Sequence, residues 1–189
     1  MTKILLMVII STALLTGCNH NVASIPKDIE TRLEEVLKVD VVVPALENYQ
    51  IKYAEVQYPP ILHNKPVGNR LVARIVYTDE KGPLIELTKE QKAEMEERKE
   101  RSILYGEYEG KAVIILEISN MKTSFADAKV QQIEGVDVEY SDKVVESGRY
   151  AFYSFNIGDG SYTTTFLLND TFTDLDAVEY IKKLISELK

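Results

Sequence analysis

Tryptophan is missing from the chain, cysteine occurs once (Cys18) and histidine twice (His20 and His63). A single thiol excludes an internal disulfide, and neither histidine has a second His or Cys at the spacing that zinc ligands take. Positive charge is scarce as well: 22 Lys plus Arg face 30 Asp plus Glu, a formal charge of -8. That balance argues against the clustered cations that grip a phosphate backbone, so nucleic acid is not an expected partner. A spanning helix needs ~20 apolar residues, and the longest apolar run stops well short of that. A Gly-x-Ser-x-Gly elbow and a Gly-rich phosphate loop after a strand are both absent, which removes motif support for a covalent hydrolase or a nucleotide site. What is present is 45% hydrophobic and 28% charged over 189 residues, the composition of one modest globular domain.

The amino terminus carries an address. Lys3 supplies one positive charge, and Ile4 to Leu15 then runs ILLMVIISTALL, interrupted only by Ser11 and Thr12. This is the pattern of a signal-peptide core. Directly behind it, Leu15-Thr16-Gly17-Cys18 resembles the lipobox of bacterial lipoprotein precursors at all four positions. The resemblance implies a diacylglyceryl group on the Cys18 thiol, cleavage before Cys18, and removal of residues 1–17 as a signal peptide. Residues 18–24 would form a lipidated tether and residues 25–189 a single domain. Each buried methylene contributes about 0.8 kcal/mol, so two acyl chains suffice to hold a protein at a bilayer. The acidic body gains nothing from anionic head groups, which leaves the lipid as the anchor. Asn19 stands where precursors retained in a Gram-negative inner membrane often carry Asp. The expected location is the outer face of a Gram-positive plasma membrane, with a Gram-negative outer membrane as the alternative.

Periodicity marks the elements of the mature part. Ile29, Leu33, Val36 and Leu37 make the stripe of an amphipathic helix over 26–38, with Ser24 as cap and Pro26 in its first turn. Val39 to Val43, Ile51 to Tyr58, Arg70 to Tyr77, Ile103 to Tyr108, Ala112 to Ser119 and Ala128 to Tyr140 read as strands. Residues 59–69 read as loop, and Glu109-Gly110 as a hairpin turn. Residues 88–101 are charged on nearly every side, with only Ala93 and Met95 to bury. Thr88 and Gln91 nevertheless have capping-box spacing, which predicts an exposed helical excursion. Tyr150 to Ile157 and Tyr162 to Leu168 flank Gly158-Asp159-Gly160-Ser161, a strong hairpin signal. A closing helix over 174–188 buries Leu175, Val178, Ile181, Leu184, Ile185 and Leu188 behind the cap Thr173. The predicted fold is α+β: a curved antiparallel sheet with an N-terminal and a C-terminal helix packed on one face.

A second resemblance lies in the last third. Ile133-Glu134-Gly135-Val136, Glu139-Tyr140, Gly160-Ser161-Tyr162-Thr163 and a final helix are similar to the end of a domain of unknown function found in secreted and membrane-anchored proteins of Gram-positive spore formers. Phe152 or Phe155 stands where that family carries Trp. The likeness implies an extracytoplasmic α+β module and names no catalytic residue.

Chemistry is thinly signalled. Asp159, Asp170, Asp174 and Asp176 are oxygen donors of the kind calcium uses, but turn formation and helix starts account for each, and no cofactor or metal is expected. The eleven tyrosines suit half-buried strands or an aromatic groove. Two functions stay open: a module that binds an envelope protein or a small apolar ligand, or a cell-envelope hydrolase using two carboxylates drawn from Glu55, Glu117 and Asp137.

Overall fold

A computed structural model describes residues 27–63, 65–98 and 100–189. The leader 1–17, Cys18, His20, the tether, Ser24 and Pro26 lie outside the described residues. Within them, α1 (Lys27–Leu37) precedes β1 (Gln50–Gln57), β2 (Ile61–Leu62), β3 (Lys65–Pro66) and β4 (Val72–Thr78). Then follow α2 (Lys89–Arg98), β5 (Arg101–Tyr105), β6 (Ile114–Ser119), β7 (Lys129–Ile133), β8 (Val136–Val145), β9 (Gly148–Ile157), β10 (Gly160–Leu168) and α3 (Asp174–Glu187). Eight strands form one sheet in the order β5-β1-β4-β6-β10-β9-β8-β7, with every neighbouring pair antiparallel. The class is α+β, weighted toward β.

Alternation along the strands separates an apolar face from a polar one. Ala73, Ile75 and Tyr77 of β4 are fully buried, and the register sets Ile75 beside Leu116, Leu116 beside Thr164 and Thr164 beside Tyr153. Ala73, Ile75, Tyr77, Leu116 and Tyr153 belong to one buried cluster with Ile29, Leu33 and Leu37 of α1 and Tyr180, Ile181 and Leu184 of α3. Tyr180 meets Tyr77 and Phe166 edge-on, with ring centroids 6.3 and 5.3 Å apart. Each large side chain removed from water in this way contributes about 1.5–3 kcal/mol.

All three helices lie within a few residues of their predicted bounds. In α3 the amide and hydroxyl of Thr173 both donate to Asp176, at 2.7 Å each. In α2 the reciprocal pair is Thr88 N–H to Gln91 at 2.8 Å and Gln91 N–H to the Thr88 hydroxyl at 3.2 Å. Leu175 departs from the expected stripe: it is 78% exposed, and Ala177 and Tyr180 take the buried positions.

Two strand expectations, one loop and one turn are corrected. Val39 to Val43 is an extended strap without a strand partner, because side chains of α1 take its amides. Glu30 accepts Val43 N–H at 3.0 Å and Glu34 accepts Val41 N–H at 3.4 Å. Residues 59–69 contain the small β2–β3 hairpin. Glu109-Gly110 does not join a hairpin, since β5 pairs with β1 and β6 pairs with β4 and β10. Ala128 to Tyr140 is two strands rather than one. Glu134 (φ 49°) and Gly135 (φ 72°) both turn left-handed and fold β7 back on β8, the backbone that a tight two-residue hairpin loop requires.

Candidate functional site

On the polar face the register aligns one row across the whole sheet: Ile103, Glu55, Arg74, Glu117, Thr163, Ser154, Glu139 and Val130. Arg74 stands between the two carboxylates and meets Glu117 at 3.5 Å, with both side chains about one-third exposed. Glu55 is almost fully buried, at 4% exposure. Its oxygens accept the Tyr53 hydroxyl at 2.5 Å and the Gln57 amide at 2.7 Å, and the Arg101 guanidinium lies 3.9 Å away. Burial raises the Tyr53 phenol above its ordinary pKa, and the hydrogen bond to Glu55 and its charge add to the shift.

Of the three proposed acids, Glu55 and Glu117 share this row and Asp137 lies apart from it. Strands stand about 4.8 Å apart, so Glu55 and Glu117 sit two spacings from each other with a cation between them. Asp137 is three strands from Glu117, opposite Gln132, and accepts that side chain's amide at 2.5 Å. The calcium candidates are likewise dispersed. Asp174 makes a two-pronged pair with Arg149 at 2.9 and 3.0 Å, and Asp176 is held by Thr173. The Thr173 hydroxyl and amide lower the Asp176 carboxyl below its usual range. Among the described residues no three His, Cys, Asp or Glu side chains converge as a metal site. His63 is exposed in the turn between β2 and β3.

Most tyrosines serve packing. Tyr77, Tyr153, Tyr162 and Tyr180 are buried, and the Tyr77 and Tyr162 hydroxyls donate to the carbonyls of Pro44 at 3.0 Å and Asp40 at 2.8 Å, fixing the strap. Tyr58 is different, because it borders open space.

That space is a pair of adjoining grooves where α2 approaches β1 and β5. One, of about 650 Å³, lies among Tyr58, Leu87, Lys92, Met95, Ser102 and Ile103; the other, of about 580 Å³, reaches Glu55, Gln57, Pro60, Gln91 and Arg98. Tyr58, Met95 and Arg101 border both. The helix over them is as polar as its sequence predicts: Ala93 is exposed, and Met95 is half-buried. Sequence reasoning missed this site. Its one visible signal was Met95, a long apolar side chain alone on a charged helix.

No family model, curated protein or solved structure matches the chain. No described helix is long and apolar enough to cross a membrane.

Proposed function

We propose that the chain is a lipid-anchored extracytoplasmic protein that acts by binding, with a partner or small apolar ligand received by the groove beneath α2. The observation that carries the reading is the groove itself: an open space between α2 and the sheet, bordered by apolar side chains (Leu87, Met95, Ile103) and by charged and polar ones (Lys92, Arg98, Arg101, Glu55, Gln57), and spaces between packed elements are where ligands are commonly received. Support against the carboxylate hydrolase comes from the same place, since Glu55 is occupied by Tyr53 and Gln57 and Glu117 by Arg74. Anchoring rests on Leu15-Thr16-Gly17-Cys18 behind its apolar run, with residues 1–17 removed and a diacylglyceryl group on Cys18. The body is a curved sheet with α1 and α3 over one face, a reading supported by their shared cluster with Tyr77 and Phe166. The polar face and the α2 groove are then left for a partner at the outer surface of a Gram-positive plasma membrane, or of a Gram-negative outer membrane.

The test has two arms. Mass spectrometry of the native protein is expected to find an acylated Cys18 as first residue, and Cys18→Ser to shift the protein out of the membrane fraction; a bare thiol with an intact leader overturns the anchor. A photo-crosslinking amino acid at Met95 in intact cells is expected to capture a defined species, and one at exposed Val144 is not. Equal capture at both positions overturns the groove.

A further inference from the structure

Resting on that binding reading, we propose that the larger groove receives an extended acidic peptide, which adds as a ninth strand along the outer edge of β5. An edge strand leaves a row of backbone N–H and C=O groups that templates another strand. β5 is such an edge, paired only with β1; residues 82–85 pair with 107–109 just beyond it, and among the described residues no main-chain hydrogen bond reaches the outer side of 101–105. Ser102 and Ile103 are consecutive and point to opposite faces, yet both border the groove, so this space runs along the strand's rim rather than over one face. Helix α2 covers the rim without filling it.

Two further observations fix the chemistry. The charged side chains of the larger groove are Lys92 and Arg101, both cations, on a chain whose formal charge is -8; the carboxylates of Glu55, Glu94 and Glu100 border the adjoining groove, and Glu55 lies 3.9 Å from Arg101. A segment bearing Glu, Asp or a terminal carboxylate fits that local charge, and a basic one does not. The apolar contribution comes from Leu87, Met95 and Ile103. Helix α2 also touches the sheet only lightly, along β5: a helix polar on all sides gains little from packing, and an inserted strand would supply the apolar contact that Met95 now makes only in part.

The probes are an octapeptide of alternating valine and glutamate with a free carboxyl end, its valine–lysine counterpart, and two versions of the first carrying N-methyl groups on alternate residues in opposite registers. Binding to the full chain is read by fluorescence polarisation and by hydrogen exchange. The acidic octapeptide is expected to bind about tenfold tighter than the basic one and to slow exchange at 101–105 but not at 129–133. One N-methyl register should abolish binding while the other leaves it within a few-fold, because only alternate amides face β5. Lys92→Glu, on an exposed helix surface, should reverse the charge preference without loss of folding. Protection at 129–133 instead, equal binding of the basic peptide, or tolerance of both N-methyl registers overturns the proposal. So does protection of 101–105 in the free chain together with a dimer by sedimentation, which would give the rim to a second copy. Those results leave the binding reading standing, since it fails on a different measurement, equal crosslinking at Met95 and Val144.

Discussion

The carboxylate of Glu30 accepts the backbone amide of Val43 across thirteen residues of sequence, at 3.0 Å. A helix side chain thus occupies the place of a neighbouring strand's carbonyl, and an apolar segment with every local mark of a strand is held as a strap. Removing that acceptor leaves a partly buried N–H without a partner, at a cost of about 1–3 kcal/mol. Glu30→Ala is expected to lower the unfolding free energy by that amount in urea titrations, and Glu30→Gln to recover part of it through its amide oxygen. Equal losses for the two variants would show that the hydrogen bond is not what holds the strap.

Among the described residues the buried hydroxyl of Thr164 lacks a hydrogen bond, and the buried hydroxyl of Tyr180 has only the Tyr77 hydroxyl near it, outside ideal geometry. Thr164→Val keeps the shape and removes an unsatisfied oxygen, so a gain of about 1 kcal/mol is expected. Tyr180→Phe should cost less than Tyr77→Phe, whose lost hydroxyl strands the carbonyl of Pro44. Calorimetry of the three variants checks the ranking, and a larger loss at Tyr180 would reveal a partner for its hydroxyl.

Alkaline pH offers a test of the core. Burial raises the phenols of Tyr53, Tyr77, Tyr162 and Tyr180 above their ordinary value of 10, with Tyr162 pushed up to about 12. A group that holds its proton more tightly when folded contributes its full stability below the unfolded pKa and loses it as pH rises through the folded one. Stability is therefore expected to be level with respect to these tyrosines up to pH 10 and to fall as pH rises beyond it, through about 12 for Tyr162 and further for the other three. Tyrosinate absorbance from the buried rings should appear together with loss of the circular dichroism signal. Complete tyrosine ionisation in a chain that keeps its ellipticity would contradict the burial.

Gly106 ends β5 with φ at 72°, and a Cβ there would lie 2.2 Å from the carbonyl oxygen of Lys52. Left-handed strain in a non-glycine residue costs about 1–3 kcal/mol before that clash is relieved. Gly106→Ala is expected to destabilise by more than about 1 kcal/mol and to speed amide exchange across 101–105. A variant with wild-type stability would mean that the rim of β5 shifts freely.

The parts legible in the sequence were those that local chemistry decides. Thr88 with Gln91 and Thr173 with Asp176 mark helix starts by their own hydrogen bonds, and Gly158-Asp159 marks the β9–β10 hairpin. Errors came where distant residues intervene. Nothing within Val39 to Val43 announces that Glu30 and Glu34 will take its amides. The pairing of β5 with β1, more than forty positions earlier, turned an apparent hairpin at Glu109-Gly110 into a long-range return. Leu175 has the right spacing for burial but lies in the first turn of α3, where Ala177 and Tyr180 already face the cluster. The site was least legible of all. The alignment of Glu55, Arg74 and Glu117 needs the register of three strands, and the groove needs α2 to overhang a sheet rim, neither of which any single segment encodes.

The order of strands also divides the assembly into two regimes of search. From β7 to β10 each strand lies beside its successor, so this meander can zip together through nearby contacts at small loop-closure cost. The remaining half interleaves β5, β1, β4 and β6. Its pairs close over longer separations, and nucleation is expected to belong to the carboxyl-terminal hairpins, with the amino-terminal strands recruited onto a template already in place.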